Sequence, residues 1–198
     1  MKTTRGLSPD LMFALKAGIL NPLLEAVKRD DTLCLQIRND YFNIYYRGGS
    51  ILKLENKKGL FYSNFDTAYF KPIEASRREL LSTSLPKLIK SISESKKWLE
   101  LIPLLKQAMD EYFSKYTKSE REFQQLVARE NNNSIVSNDT DYYITDIEYT
   151  SSASMNSRFD LVGIKWESSS SNRKKTDKCR LVLIEMKYGD NALVGQQA

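Results

Sequence analysis

The chain predicts an α/β protein in which a helical and antiparallel β-meander region leads into a C-terminal core of one helix followed by three strands. Two observations carry that expectation. Between residues 32 and 62 apolar residues recur at every second position, with Asn39-Asp40 and Gly48-Gly49 supplying turn chemistry between the runs. Beyond Ser119 one helical period is followed by three strand-length runs, Tyr142 to Tyr149, Leu161 to Trp166 and Arg180 to Met186. Residues 1–72 then form the helix-and-meander region, 73–118 connecting helices, and 119–198 the core.

Taken in order, Ser8-Pro9 is a helix start, because proline has its φ already set and lacks only an N–H that the first turn does not use. Apolar residues at helical spacing continue to Arg29, and Pro22 divides the stretch into two helices. Leu33, Leu35 and Ile37, then Phe42, Ile44 and Tyr46, then Leu52 and Leu54 alternate with polar neighbours. They give a three-stranded meander, extended by Leu60 to Tyr62. Residues 74–116 return to helical spacing. Leu80, Leu81, Leu85, Leu88, Ile89 and Ile92 form one stripe; Trp98, Leu101, Ile102, Leu105, Met109 and Phe113 form another. Pro86 and Pro103 mark starts or kinks. Ser119-x-x-Glu122 ahead of Phe123, Leu126 and Val127 is a capping box that opens the core helix. A polar loop, Asn131 to Asn138, and a flexible turn, TSSASMNS, surround the first core strand.

Composition removes several reaction classes. The chain has no histidine, so Ser-His-Asp hydrolysis and histidine-based phosphodiesterase chemistry lack their imidazole. Cys34 and Cys179 stand far apart with no histidine beside them, which argues against a zinc site. Residues 1–118 carry 20 Lys and Arg against 13 Asp and Glu, a charge of +7; residues 119–198 carry 10 against 12, a charge of −2. A basic region beside an acidic one suits an enzyme that gathers phosphates with cations and a metal with carboxylates. No run of about 18 apolar residues occurs, and MKTTRGLSPD has no apolar signal-peptide centre. A cytoplasmic protein without membrane contact is expected. In the meander Tyr41, Tyr45, Tyr46 and Tyr62 are interleaved with Arg38, Arg47 and Lys53. Aromatics among cations can stack bases, but the plainer use of such tyrosines is to cover a half-buried sheet.

The chemistry concentrates between Arg158 and Asp190. Alternate residues of a strand share a face, so Glu185 and Lys187 project to one side about 6 to 7 Å apart. A paired strand lies about 5 Å away, so Asp160, near the open end of the preceding strand, points at the same spot. Two carboxylates and an ammonium would converge at the end of a buried hairpin. Mg²⁺ takes hard oxygen ligands, usually one or two carboxylates, and keeps several waters. Asp160 and Glu185 suit it; Lys187 would orient or help deprotonate the attacking water and soften the phosphate charge. A Glu-x-Lys strand end is otherwise an ordinary solvated edge.

The pattern Asp160-(x)24-Glu185-x-Lys187, running across strand, loop and strand, resembles the core of the PD-(D/E)XK nuclease superfamily, the restriction-endonuclease-like fold. The resemblance implies metal-dependent hydrolysis of nucleic acid, DNA favoured. It implies Mg²⁺ or Mn²⁺ held by Asp160, Glu185 and the main-chain carbonyl of Met186, with Lys187 serving the water. The family's helix-borne glutamate falls on Glu122, with Glu120 and Glu130 as alternatives; the capping role competes for Glu122. Phe159 stands where the name-giving proline would be, a mild departure because that proline is no ligand. The family continues with a further helix and strand, so the core is expected to be truncated at Ala198, with Gln196 or Gln197 as candidates for a helical glutamine that assists catalysis. The implied partner is nucleic acid, with a homodimer compatible. The alternative is a non-catalytic nucleic-acid-binding or assembly protein on the same fold, and a third reading is an interaction scaffold whose carboxylates are only a polar strand edge.

Overall fold

The structure is a computed structural model that describes residues 5–117, 119–150, 158–168 and 179–188. The chain divides into two compact units, Met1–Thr117 and Lys118–Ala198. Each carries its own antiparallel sheet.

In the first unit, α1 (Pro9–Lys16) and α2 (Asn21–Arg29) both take a proline in their first turn, as Pro9 and Pro22 predict. The meander follows as β1 (Leu33–Ile37), β2 (Tyr41–Tyr46), β3 (Gly49–Lys57) and β4 (Leu60–Asn64), paired in chain order. Its hairpins turn through the left-handed region at Asp40, Arg47 and Lys58, with Gly48 and Gly59 beside the last two. One face of the sheet buries Leu33, Phe42, Ile44, Leu52 and Leu54 in the main core. Against that core lies α4 (Ile92–Lys115), opened by a capping box between Ser91 and Glu94. Its buried side is Trp98, Ile102, Leu105, Met109 and Phe113. At Gly49 an added Cβ would come 2.5 Å from the Tyr69 hydroxyl and 2.7 Å from Met109, so helix and sheet meet too closely there for any side chain.

Two helical expectations are corrected. The stripe from Leu80 to Ile92 is not continuous: α3 (Ala75–Ser84) stops before Leu85, whose extended backbone is what a residue preceding proline favours. Beyond Pro86, Leu88–Ile89 form β5 and pair with Phe61 and Tyr62 of β4. Pro103, expected to start or kink a helix, does not start one; α4 runs through it. The lost backbone bond is outweighed by burial on both sides, Trp98 and Ile102 before it and Leu105 and Met109 after it. Trp98 also anchors the break in the stripe, donating from Nε1 to Ser63 Oγ and to the Pro86 carbonyl, both at 3.0 Å. A 3₁₀ turn, Thr67–Phe70, buries Tyr69 and Phe70 and was not foreseen.

The second unit is α5 (Ser119–Asn132), β6 (Tyr142–Thr150), β7 (Arg158–Lys165) and β8 (Arg180–Ile184), with the sheet ordered β6-β7-β8. The helix-strand-strand-strand order matches expectation. The C-terminal end of α5 is tied to β6 by the Asn132 amide, which donates to the Ile144 carbonyl at 2.7 Å and accepts from its N–H at 2.8 Å. Ile144, Ile147 and Leu161 are buried, and a Cβ on Gly163 would meet the Tyr143 carbonyl at 2.7 Å. The hairpin is less enclosed than expected. Strand β8 lies at the edge, with Leu181 71% and Leu183 48% exposed. Gly189, Gln196, Gln197 and most of the TSSASMNS turn lie outside the described residues. Among the described residues no helix is long and apolar enough to cross a membrane; Cys34 and Cys179 are half-buried thiols outside any disulfide.

Candidate functional site

The ladder between β7 and β8 fixes where the chemistry-bearing residues fall. Leu161 and Ile184 are the last pair of that ladder, so Asp160 and Glu185 follow next on the two segments. The regular strand ends at Ile184, and beyond it the Asp160 side chain takes over from the backbone ladder: Met186 N–H donates to Asp160 Oδ2 at 2.8 Å. One residue further, Lys187 Nζ lies 2.7 Å from Glu185 Oε1, with both side chains more than half exposed.

The hydrogen bond to Glu185 and the charge of that carboxylate raise the Lys187 pKa above the usual lysine range, and Asp160 and Glu120 add to the effect. Three carboxylates from three parts of the unit therefore act on one ammonium: Asp160 on β7, Glu185 on the segment leaving β8, and Glu120 in the first turn of α5. The ring of Phe123, one turn along the helix, lies 4.9 Å from that of Tyr188, bringing the start of α5 to the same segment.

The helix carboxylate whose field reaches Lys187 is thus Glu120. Glu122 sits half-buried in the same turn, about 200° of helix rotation away from Glu120. Glu130, the other alternative, is engaged with its neighbour Arg129 at 2.8 Å.

A feature the sequence reading missed lies beside Asp160. Ile147 pairs with Leu161 and Tyr149 with Phe159, which puts Glu148 in register with Asp160. Glu148 has a left-handed backbone, φ 52, unusual for a residue with a side chain inside a strand. Its Oε1 receives Arg121 Nε and Arg158 Nη2, each at 2.8 Å. Two guanidiniums are so gathered on one carboxylate. No sequence signal marks this, since nothing in YYITDIEY shows where the strand turns out of the extended region.

Asp160 and Glu185 each use one oxygen in these contacts, and Oδ1 of Asp160 and Oε2 of Glu185 are the hard donors a divalent cation would take. Two carboxylates with a main-chain carbonyl are the kind of donor set Mg²⁺ takes, water filling its remaining positions. Among the described residues no cluster of three or more Asp, Glu, Cys or His side chains is gathered for an ion. Compared with known proteins, the chain matches no protein-family model, no curated protein and no solved structure.

Proposed function

We propose that the chain is a Mg²⁺- or Mn²⁺-dependent nuclease that hydrolyses phosphodiester bonds, with DNA the favoured substrate and residues 119–198 a restriction-endonuclease-like core. The reading is supported above all by one observation: Lys187 is bonded to Glu185 and feels the charge of Asp160, while Asp160 holds the amide of the residue between them.

In this proposal Asp160, Glu185 and the Met186 carbonyl hold the cation. The bound cation would act as a Lewis acid on the phosphate and generate hydroxide from water near neutral pH. Lys187, kept as an ammonium by its acidic neighbours, donates to the water or to a phosphate oxygen and does not remove a proton. Arg121 and Arg158, oriented by Glu148, present further cations to the phosphodiester; planar guanidiniums suit such two-oxygen recognition. Glu120, in the role the resemblance gives to Glu122, would steady Lys187.

The test is cleavage of supercoiled plasmid and of single-stranded DNA with Mg²⁺ or Mn²⁺. Nicking should appear with metal, vanish with EDTA, and fall at least about 100-fold in Asp160→Ala and in Lys187→Ala, on the order of losing one strong transition-state contact. DNA binding with no cleavage under any metal would instead favour the non-catalytic nucleic-acid-binding reading.

A further inference from the structure

The face of the first unit's sheet that points away from the main core carries its own candidate site. Register places Gln36 beside Asn43, Asn43 beside Lys53, and Lys53 beside Asn64, a row of polar side chains running across four strands. Tyr41 and Tyr62 flank Glu55 in the adjoining row. Beside Tyr41 and the polar row lies an open groove of about 420 Å³ lined by Tyr41, Asn43, Ser50, Lys53, Asn64 and, at its end, Asp66.

Three observations say what such a groove could take. First, Asn43 donates from Nδ2 to the Tyr45 hydroxyl at 3.0 Å, which fixes the orientation of its amide, and its Oδ1 is then a buried acceptor with no hydrogen-bond partner. An acceptor without a donor costs free energy, and a ligand N–H supplies the missing half. Second, cations stand over the aromatic rings of this face, Lys53 Nζ 4.5 Å from the Tyr41 centroid and Lys57 Nζ 5.4 Å from that of Tyr62; both are paired with Glu55 between the two rings, so a bound strand would exchange that carboxylate for its phosphates and free the ring faces. Third, residues 1–118 carry a charge of +7, which favours a polyanion over a neutral ligand such as a sugar.

We infer that this face binds single-stranded nucleic acid, with one unpaired base stacked at Tyr41 and presenting an N–H to Asn43 Oδ1, a second base at Tyr62, and the phosphates drawn by Lys53 and Lys57. Every unpaired base carries a ring N–H or an exocyclic amine, whereas in a duplex the base faces are stacked and most of those donors are paired. Tyr41 and Tyr62 lie two strand spacings apart, about 10 Å, so a strand crossing the sheet would meet both. The inference rests on nucleic acid being the partner, as proposed above, but requires no cleavage.

The experiment is fluorescence anisotropy of a labelled single strand of about 12 nucleotides, a length within the usual range of single-strand binding sites, with the whole chain in EDTA at low salt. Binding should weaken as salt rises, exceed that of the matching duplex, and fall roughly 5-fold or more in Tyr41→Ala, the lower end of what one stacked base contributes. Tyr41→Phe, which keeps the ring, should bind like the wild type, and Asn43→Leu should weaken binding to a base-bearing strand more than to an abasic one. Equal affinity of Tyr41→Ala and wild type, with unchanged circular dichroism and melting, overturns the inference; so does an abasic strand that binds as tightly as a normal one. Tyr41-dependent binding by a chain that cleaves nothing supports this site and removes only the nuclease reading. Cleavage without Tyr41-dependent binding does the reverse.

Discussion

Lys106 offers the sharpest test of how the first unit holds its helix on its sheet. Its Nζ reaches Asp30 Oδ2 at 2.5 Å and Thr32 Oγ1 at 2.7 Å, and lies 5.1 Å from the centroid of the Tyr46 ring. One ammonium thereby joins α4 to the turn between α2 and β1 and to β2. Its side chain is 19% exposed and that of Asp30 34%. Lys106→Met keeps the alkyl stem and removes the charge. A hydrogen bond between charged groups contributes about 1.5 to 3 kcal/mol, here reduced because Asp30 is one-third open to solvent; the ring contact adds about 0.5 to 1 kcal/mol. The expected loss is about 2 kcal/mol, which for a unit of this size lowers the melting temperature by roughly 8 to 12 °C.

The pH dependence gives a second readout. Burial acts to raise the Asp30 pKa, but the hydrogen bonds from Lys106 and Thr32 outweigh it and hold the carboxyl below its usual value. A folded pKa below the unfolded one, about 3.9, means that the stabilisation is fully present above that value and is lost as pH falls through the lower, folded one. Urea unfolding followed by Trp98 fluorescence at pH 7 and at stepwise lower pH should show the wild type losing stability below about pH 4 more steeply than Lys106→Met. Equal stabilities at pH 7 within about 0.5 kcal/mol, the ordinary range for surface substitutions, or parallel acid profiles, would refute the reasoning.

In the second unit Gly163→Ala forces a methyl against the Tyr143 carbonyl, which an added Cβ would approach to 2.7 Å; spreading β6 from β7 should cost about 1 to 3 kcal/mol, measured as earlier urea unfolding with the first unit's transition unmoved. On the proposed activity, Glu120→Gln should reduce cleavage about 10-fold or more, as loss of a supporting contact does, while Glu122→Gln should reduce it much less, and equal losses in the two variants would refute the assignment of Glu120.

The class and order of elements were legible because they rest on periodicity. Alternation from Leu33 to Leu54 marked three strands and Leu60 to Tyr62 the fourth, and Pro9 and Pro22 marked both helix starts. What escaped detection has no period to read. A two-residue strand such as Leu88–Ile89 offers too few positions to differ from a helical stripe, and only the preceding Pro86 hinted at a break. The buried 3₁₀ turn at Thr67–Phe70 is held by contacts with distant aromatics, Tyr69 lying 5.6 Å from the Phe113 ring centroid, and sequence proximity says nothing about these. At the candidate site, spacing alone could place Asp160, Glu185 and Lys187 on neighbouring strands. Choosing between Glu120 and Glu122 needs the rotation of α5 against the sheet, which packing decides. The left-handed backbone at Glu148, which receives Arg121 and Arg158, has no marker in the alternation of YYITDIEY.

The energetics of the strand end also bear on whether it is a mere polar edge. Glu185 and Lys187 are 58% and 53% exposed, and an ion pair that open to solvent contributes little, about 0 to 1 kcal/mol. Strand pairing needs neither carboxylate, since Ile144, Ile147 and Leu161 are buried and Gly163 permits the close approach. Just past the last pair of the ladder the two acids take their partners from the single tripeptide Glu185-Met186-Lys187, Asp160 the Met186 N–H and Glu185 the Lys187 ammonium. That arrangement gives the fold little, so under the proposed function Asp160→Asn should abolish metal-dependent cleavage while leaving the urea midpoint of the second unit within about 1 kcal/mol of the wild type, and a larger loss of stability would make Asp160 a structural residue.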